Sequence, residues 1–268
     1  MTNARTYRPD FQNLVNAKRS LGSIAGVAKV ALFKRGSVAP YRHYFDALHA
    51  ALHDEEPPFG SGTYANVYRD AASEGQWLAV SLITNAEREG DGATRLWSLA
   101  ACSADEQEQQ LLKRHAVDES RHALAYLALL DLTFPDAVDA EFRGELNALS
   151  PHYSMAQEVH ALEGSPYARC PSVDDYMQMN IAEIRTTIHH MLQRAAIAEH
   201  CPAANLARAT NILDSLLRDE LRHVAYTAEL IDHKAAAIEP DALRTRFCKR
   251  MKDFSDITRQ ELGQFVFD

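Results

Sequence analysis

Apolar residues recur along most of this chain at intervals of three and four, and the two-residue alternation of half-buried strands is missing. The elements are therefore expected to be helices. Ala and Leu are abundant while β-branched and aromatic runs are sparse, which favours an all-α fold. Amphipathic helices are expected over residues 10–33 and 40–53, divided at Gly36-Ser37, and the Pro- and Gly-rich segment 55–62 reads as a loop. Four longer helices follow. The first runs from about residue 73, with Ser73 as candidate N-cap, to 101, and the second from about 104 to 132, stopped by Pro135. The third spans 173–200, with Ser172 as candidate cap, and the fourth spans 203–237 beyond Pro202. Short helices are expected over 136–149 and 153–163 in the connection between the two pairs. Beyond Pro240, Phe247, Met251, Phe254 and Ile257 keep helical spacing, and with the closing Phe265-Val266-Phe267 they offer a face to the rest of the chain or to a second subunit.

A chain of 268 residues is long enough for one domain with a sizeable core. The expectation is a single domain over 1–268, with a core at about 73–237 and peripheral helices in 1–72 and 238–268.

Within this helical frame one pattern stands out because it occurs twice. Asp118-Glu119-Ser120-Arg121-His122 is nearly repeated as Asp219-Glu220-Leu221-Arg222-His223. In each, a carboxylate and an imidazole three residues apart share one helix face and can hold one metal ion jointly. A site for two ions would need a further carboxylate from each remaining helix. If each motif helix pairs with an antiparallel neighbour, reflecting Glu220 through Cys201-Pro202 lands on Glu183, and reflecting Glu119 through Ala104 lands on Glu89. Glu87 competes with Glu89. At about 100° per residue, Glu89 shares its face with Leu78, Leu82, Ala86, Ala93, Leu96 and Ala100, whereas beyond Glu87 that face turns to Gly90, Asp91, Thr94, Arg95 and Ser98. Before Glu87 it carries Val80 and Ile83, so Glu89 is favoured and Glu87 stays open. Gly90 and Gly92 admit two readings: a break in the helix, or room for a cavity or a close helix approach.

Assembled, Glu89, Glu119, His122, Glu183, Glu220 and His223 resemble the ligand set of the ferritin-like di-iron carboxylate superfamily, which draws one Glu and one Glu-x-x-His from each helical hairpin. The resemblance covers about residues 75–234. It implies a four-helix bundle with additional N- and C-terminal helices, two iron ions or a Mn/Fe pair, an external electron donor, and O2-dependent oxidation of a small organic substrate. Amine N-oxygenation and C-H hydroxylation are the expected reaction types. An iron-handling ferroxidase or storage protein is the alternative. His115, four residues before Glu119, resembles the third histidine of the p-aminobenzoate N-oxygenase branch, although there the additional histidine belongs to the later motif helix, and here that position is Leu216.

Around these ligands, Asp118 and Asp219 are expected to accept the free N-H of a ligand histidine from the opposite hairpin. Arg121 and Arg222 would neutralise buried carboxylates, and Tyr126 and Tyr226 would donate hydrogen bonds, be redox-active or simply pack. Tyr176, Met179 and Thr187 share a face with Glu183, with His189 and His190 as lesser pocket groups. His43 and His53 read as surface or packing histidines, and Glu158, His160 and Glu163 as a solvated face.

Charge and cysteine usage narrow the classes further. A formal charge of −9 without a basic stripe argues against a nucleic-acid partner. No run of 18 apolar residues marks a membrane span, and Met1-Thr2-Asn3-Ala4-Arg5 lacks the apolar segment of a signal peptide. The scattered Cys102, Cys170, Cys201 and Cys248 contain no C-x-x-C pair, so they read as reduced thiols in a cytoplasmic protein and exclude a rubredoxin-type iron site. A homodimer is expected.

Overall fold

The structure is a computed structural model whose described residues are 11–34 and 41–262. The expected helix starts at Asp10 and Pro40, the break at Gly36-Ser37 and the Phe265-Val266-Phe267 packing lie outside them. Among the described residues the elements are helical and no strand occurs. In order they are α1 (Phe11–Val15), α2 (Ser20–Lys34), α3 (Arg42–Asp54), a 3-10 turn at Pro58–Gly60, α4 (Gly62–Ala72), α5 (Gly75–Ala101) and α6 (Glu106–Thr133). Then come α7 (Ala140–Leu146), a second 3-10 turn at Asn147–Leu149, α8 (Val173–His200), α9 (Ala203–Ala235) and α10 (Pro240–Leu262). None is long and apolar enough to cross a membrane.

Two hairpins organise the chain. Helix α5 runs along α6 across a short loop, and α8 runs along α9 across Cys201 and Pro202. Packing of α6 on α9 brings the two Glu-x-x-His segments face to face. Helices α2 and α3 cover α9, α10 packs on α3 and α8, and α4 lies on α8 and α5. Local signals place the ends. Asp105 caps α6 by accepting from Glu108 N at 2.8 Å, and Ser172 and Asp175 form a reciprocal capping box on α8.

Several boundaries differ from expectation. The helix expected over 10–33 is divided, because a new helix starts at Ser20, whose N-H donates to Glu56 Oε1 at 2.7 Å and whose hydroxyl donates to Pro57 O. Ser73 does not cap α5. It closes α4, its hydroxyl donating to Asp70 O at 2.6 Å, and α5 starts at Gly75. Helix α4 itself was not anticipated, although Ser61 caps it and Tyr64, Ala65, Tyr68 and Ala72 give it a buried stripe at helical spacing.

The helix expected over 153–163 is absent, and the chain there is an irregular strap. Its backbone finds partners on α5 and α6 instead: Tyr153 N donates to Ser120 Oγ at 3.0 Å and Leu162 N to Ser98 Oγ at 3.2 Å. Tyr153 also stacks on the fully buried Trp97 with ring centroids 4.2 Å apart. Just before this strap, Leu149 crosses α5 so closely that a Cβ on Gly90 would lie 1.9 Å from its carbonyl oxygen. Gly90 therefore marks a close approach, and α5 continues unbroken through both glycines.

Candidate metal centre

Four helices send titratable side chains into one buried cluster. Glu89 comes from α5, His115, Glu119 and His122 from α6, Glu183 and His190 from α8, and Glu220 and His223 from α9. The one-turn spacing of Glu119 with His122, and of Glu220 with His223, points each pair inward together. Ligand atoms of His115, Glu119, Glu183 and His223 all lie within 4.8 Å of one another, as do those of Glu89, Glu119 and His122. Glu119 belongs to both groups. Glu220 spans them as well, with Oε1 3.2 Å from His122 Nδ1 and Oε2 3.2 Å from His223 Nδ1. The His115 and His223 rings stack with centroids 3.7 Å apart, and His115 Nε2 lies 3.1 Å from Glu119 and 3.3 Å from Glu183.

The surrounding groups hold the imidazoles in place. Asp219 Oδ2 lies 3.3 Å from His122 Nε2, and Asp118 Oδ2 lies 3.3 Å from His223 Nε2, so each hairpin orients the histidine of the other. Tyr226 Oη is 2.6 Å from His115 Nδ1. These contacts leave His122 Nδ1, His223 Nδ1 and His115 Nε2 facing the carboxylates. The carboxylates that Arg121 and Arg222 neutralise are the two aspartates, Asp219 being buried, and not the glutamates: Arg121 contacts Asp118 at 2.9 Å and also Asp219, and Arg222 contacts Asp118 at 3.2 Å and also Asp219. Helix geometry gives the reason, since Arg121 and Arg222 follow Glu119 and Glu220 by two residues and so stand about 200° round the helix.

His122 and His223 have pKa values raised well above the usual histidine range. Burial opposes this, but Glu220, with Glu119 and Asp219 at His122 and with Asp118 and Glu183 at His223, outweighs it. Burial and the neighbouring Glu119 carry Glu89 well above the usual carboxylate range, and Glu119 is pushed up to about 7, mainly by burial. Glu220 is held well below its ordinary value because the histidines outweigh the effect of burial. His115 is lowered, first by burial and then by His223. Glu89, Glu119, His122 and His223 thus hold protons more tightly than usual while Glu220 and His115 give theirs up, and such strongly shifted groups concentrate at functional sites.

The donor set fits metal. His115 Nε2, Glu119 Oε1 and His122 Nδ1 are sealed from solvent and have no hydrogen-bond partner, although they stand within reach of one another. Unpartnered lone pairs converging in a buried space are costly unless a cation takes them up. Carboxylates with imidazoles suit divalent iron or manganese.

A cavity of about 410 Å³ adjoins the cluster, with Glu89, His115, Glu119 and Glu183 on its wall. Tyr126, Met179 and Gly92 line it as well. A Cβ at Gly92 would sit 3.9 Å from Glu119 Oε2, so this glycine leaves room without being forced by a clash.

Of the residues singled out from the sequence, Glu87 is exposed and outside the cluster, as are His43, His53, Glu158, His160 and Glu163. His190 was underweighted: its Nε2 lies 3.3 Å from Glu220 Oε1 and its ring stacks on Tyr126. Its position seven residues after Glu183, two turns along the same face, was the available signal. His189 lines the cavity and meets the Tyr64 hydroxyl. The arginines around the cavity, Arg88, Arg95 and Arg185, and the facing side of α10 were not foreseen.

No protein-family model, curated protein or solved structure matches the chain significantly.

Proposed function

We propose that this chain is an O2-dependent non-haem di-iron oxygenase or oxidase, built on a ferritin-like four-helix bundle and acting on a small organic substrate. The observation that carries the reading is the sharing of Glu119 between two buried groups of ligand atoms beside a cavity of about 410 Å³. Such a volume falls within the roughly 300–1,000 Å³ of small-molecule pockets. Glu89, Glu119 and His122 would hold one ion, and His115, Glu119, Glu183 and His223 the other, with Glu220 able to serve both. A bound iron pair, or a Mn/Fe pair, supplies redox electrons and open coordination positions for O2. The chain itself holds the imidazoles through Asp118 and Asp219, excludes water by burial, and offers the cavity wall to the molecule being oxidised. An external electron donor and a homodimeric assembly belong to the same reading.

An iron-handling ferroxidase is the alternative, and the cavity weighs against it, since Fe(II) oxidation needs no pocket for an organic molecule. The reading is tested by loading the purified chain anaerobically with Fe(II) and counting metal by elemental analysis. About two ions per chain, an absorbance change on admitting O2, and oxidation of a candidate amine in a single turnover are expected. Fe(II) oxidation that no organic molecule alters, in a protein assembled as a large shell, would transfer the assignment to iron handling.

A further inference from the structure

The cavity is lined by charges of both signs. Glu89, Glu119 and Glu183 line it, and so do Arg88, Arg95 and Arg185, together with the apolar Leu96, Leu99, Met179, Phe254 and Ile257. Arg185 is the unusual member. It is 9% exposed, its Nε is buried without a hydrogen-bond partner, and the carboxylate that pairs with it is Glu261 from the last turn of α10. That carboxylate also holds Arg88, Nη2 to Oε1 at 2.7 Å, so two guanidinium groups share one anion. The other groups near Arg185 do not balance it. His189 is held neutral by burial and by Arg185 itself, and Tyr64 is pushed up by burial and stays protonated. Asp175, also on the wall, is already engaged by both Arg169 Nη atoms at 2.7 Å.

A planar carboxylate on paired guanidinium groups, in a cavity that also has an apolar lining, is the arrangement that receives an organic anion. We propose that the cavity binds a small organic carboxylate whose charged end replaces Glu261 on Arg185 and Arg88 while its apolar body reaches toward Glu89 and Glu183. Glu261, itself a lining residue, thus acts as an internal competitor. That the bound carboxylate is the substrate rests on the oxygenase reading, whereas its binding does not.

Calorimetric titration of the full chain in the presence of a chelator tests this, with benzoate and hexanoate as probes and benzamide and hexanamide as their neutral counterparts. At least one carboxylate should bind about tenfold or more tighter than its amide. Glu261→Gln should strengthen carboxylate binding several-fold and leave the amide unchanged, and Arg185→Gln should weaken it about tenfold or more. Should Arg185→Gln lose its helical circular dichroism, Arg88→Gln, at a half-exposed position, takes its place. Carboxylates that bind no tighter than their amides in both wild type and Glu261→Gln would overturn the proposal and leave the ion pair as a fixed latch. A Glu261→Gln chain that binds carboxylate no better than wild type would overturn it equally. Because no metal takes part, failure here leaves the metal count untouched, and failure of metal loading leaves this result standing.

Discussion

Asp219 on α9 lies 3.3 Å from His122 Nε2 on α6, a contact across 97 positions of sequence that fixes which imidazole nitrogen faces the buried carboxylates. Asp118 makes the same contact with His223, so the orientation of each histidine depends on the opposite hairpin. Asp219→Asn preserves the shape and removes the charge that stabilises the oriented imidazole. Metal affinity should fall by about 10- to 100-fold, the usual cost of losing such a partner, as measured by competition with a chromogenic chelator. Unchanged affinity would remove Asp219 from the site.

His115 should act as a ligand rather than as a packed histidine, because its Nε2 is buried, unpartnered and 3.1 Å from Glu119. His115→Gln is expected to lower metal content from about two ions per chain toward one, with far-UV circular dichroism unchanged. Full occupancy in that variant would show that Glu119, Glu183 and His223 suffice. Glu87→Gln provides the contrast: its exposed position predicts wild-type metal content, whereas Glu89→Gln should reduce it.

The metal-free protein should lose stability as pH rises. Glu119 has an ordinary value of 4.5 and is raised to about 7 by burial, so between those values the folded chain binds more protons than the unfolded chain. Its contribution is favourable at the acidic end of that window and is lost as pH climbs through it. Glu89, also raised, acts in the same direction, and the raised His122 and His223 extend the loss to higher pH. The lowered Asp118, Asp219 and Glu220 act oppositely, but their loss falls on the acid side, below their ordinary values, and the lowered His115 and His189 oppose the decline only below the ordinary histidine value of 6.5. Urea unfolding of metal-free protein should show the decline above pH 6.5, the ordinary histidine value, up to about pH 8, and metal affinity should rise over the same interval because binding displaces protons. Flat or rising stability would contradict the charge pattern.

Gly90 and Gly92 should respond differently to alanine. A Cβ at Gly90 would lie 1.9 Å from Leu149 O, a backbone atom that cannot yield without moving the strap, and the strain should exceed the roughly 1 kcal/mol that alanine gains in helix propensity. A net loss of about 1–3 kcal/mol is expected in chemical denaturation, as for other overpacked sites. Gly92→Ala meets its nearest atom at 3.9 Å and should leave stability equal or slightly higher. Equal effects at the two positions would contradict the close approach.

Helical periodicity and one-turn ligand spacing are local properties, so they are legible in a single sequence. The intervals of three and four gave the long helices, the repeated Glu-x-x-His gave two ligand pairs, and reflection across the hairpin loops led to Glu89 and Glu183, which the fold brings to the same cluster. Misreadings arose where distant partners decide. Residues 153–163 have an apolar pattern that suits a short helix, but Ser98 and Ser120, from helices far away in sequence, take backbone N-H groups that a helix would use itself. Ser73 looked like a cap because the buried stripe of α4, which ends beside it, was not recognised.

By itself, then, the sequence determined the helical elements found among the described residues and the face on which each Glu-x-x-His pair must lie, because both follow from about 100° of rotation per residue. Only the tertiary structure decided that Arg121 and Arg222 serve aspartates, that His115 reaches Glu183 and His190 reaches Glu220, and that Glu261 on α10 meets Arg185. Those pairings depend on how the helices rotate and cross when their apolar faces are buried together, which no single stretch of sequence encodes.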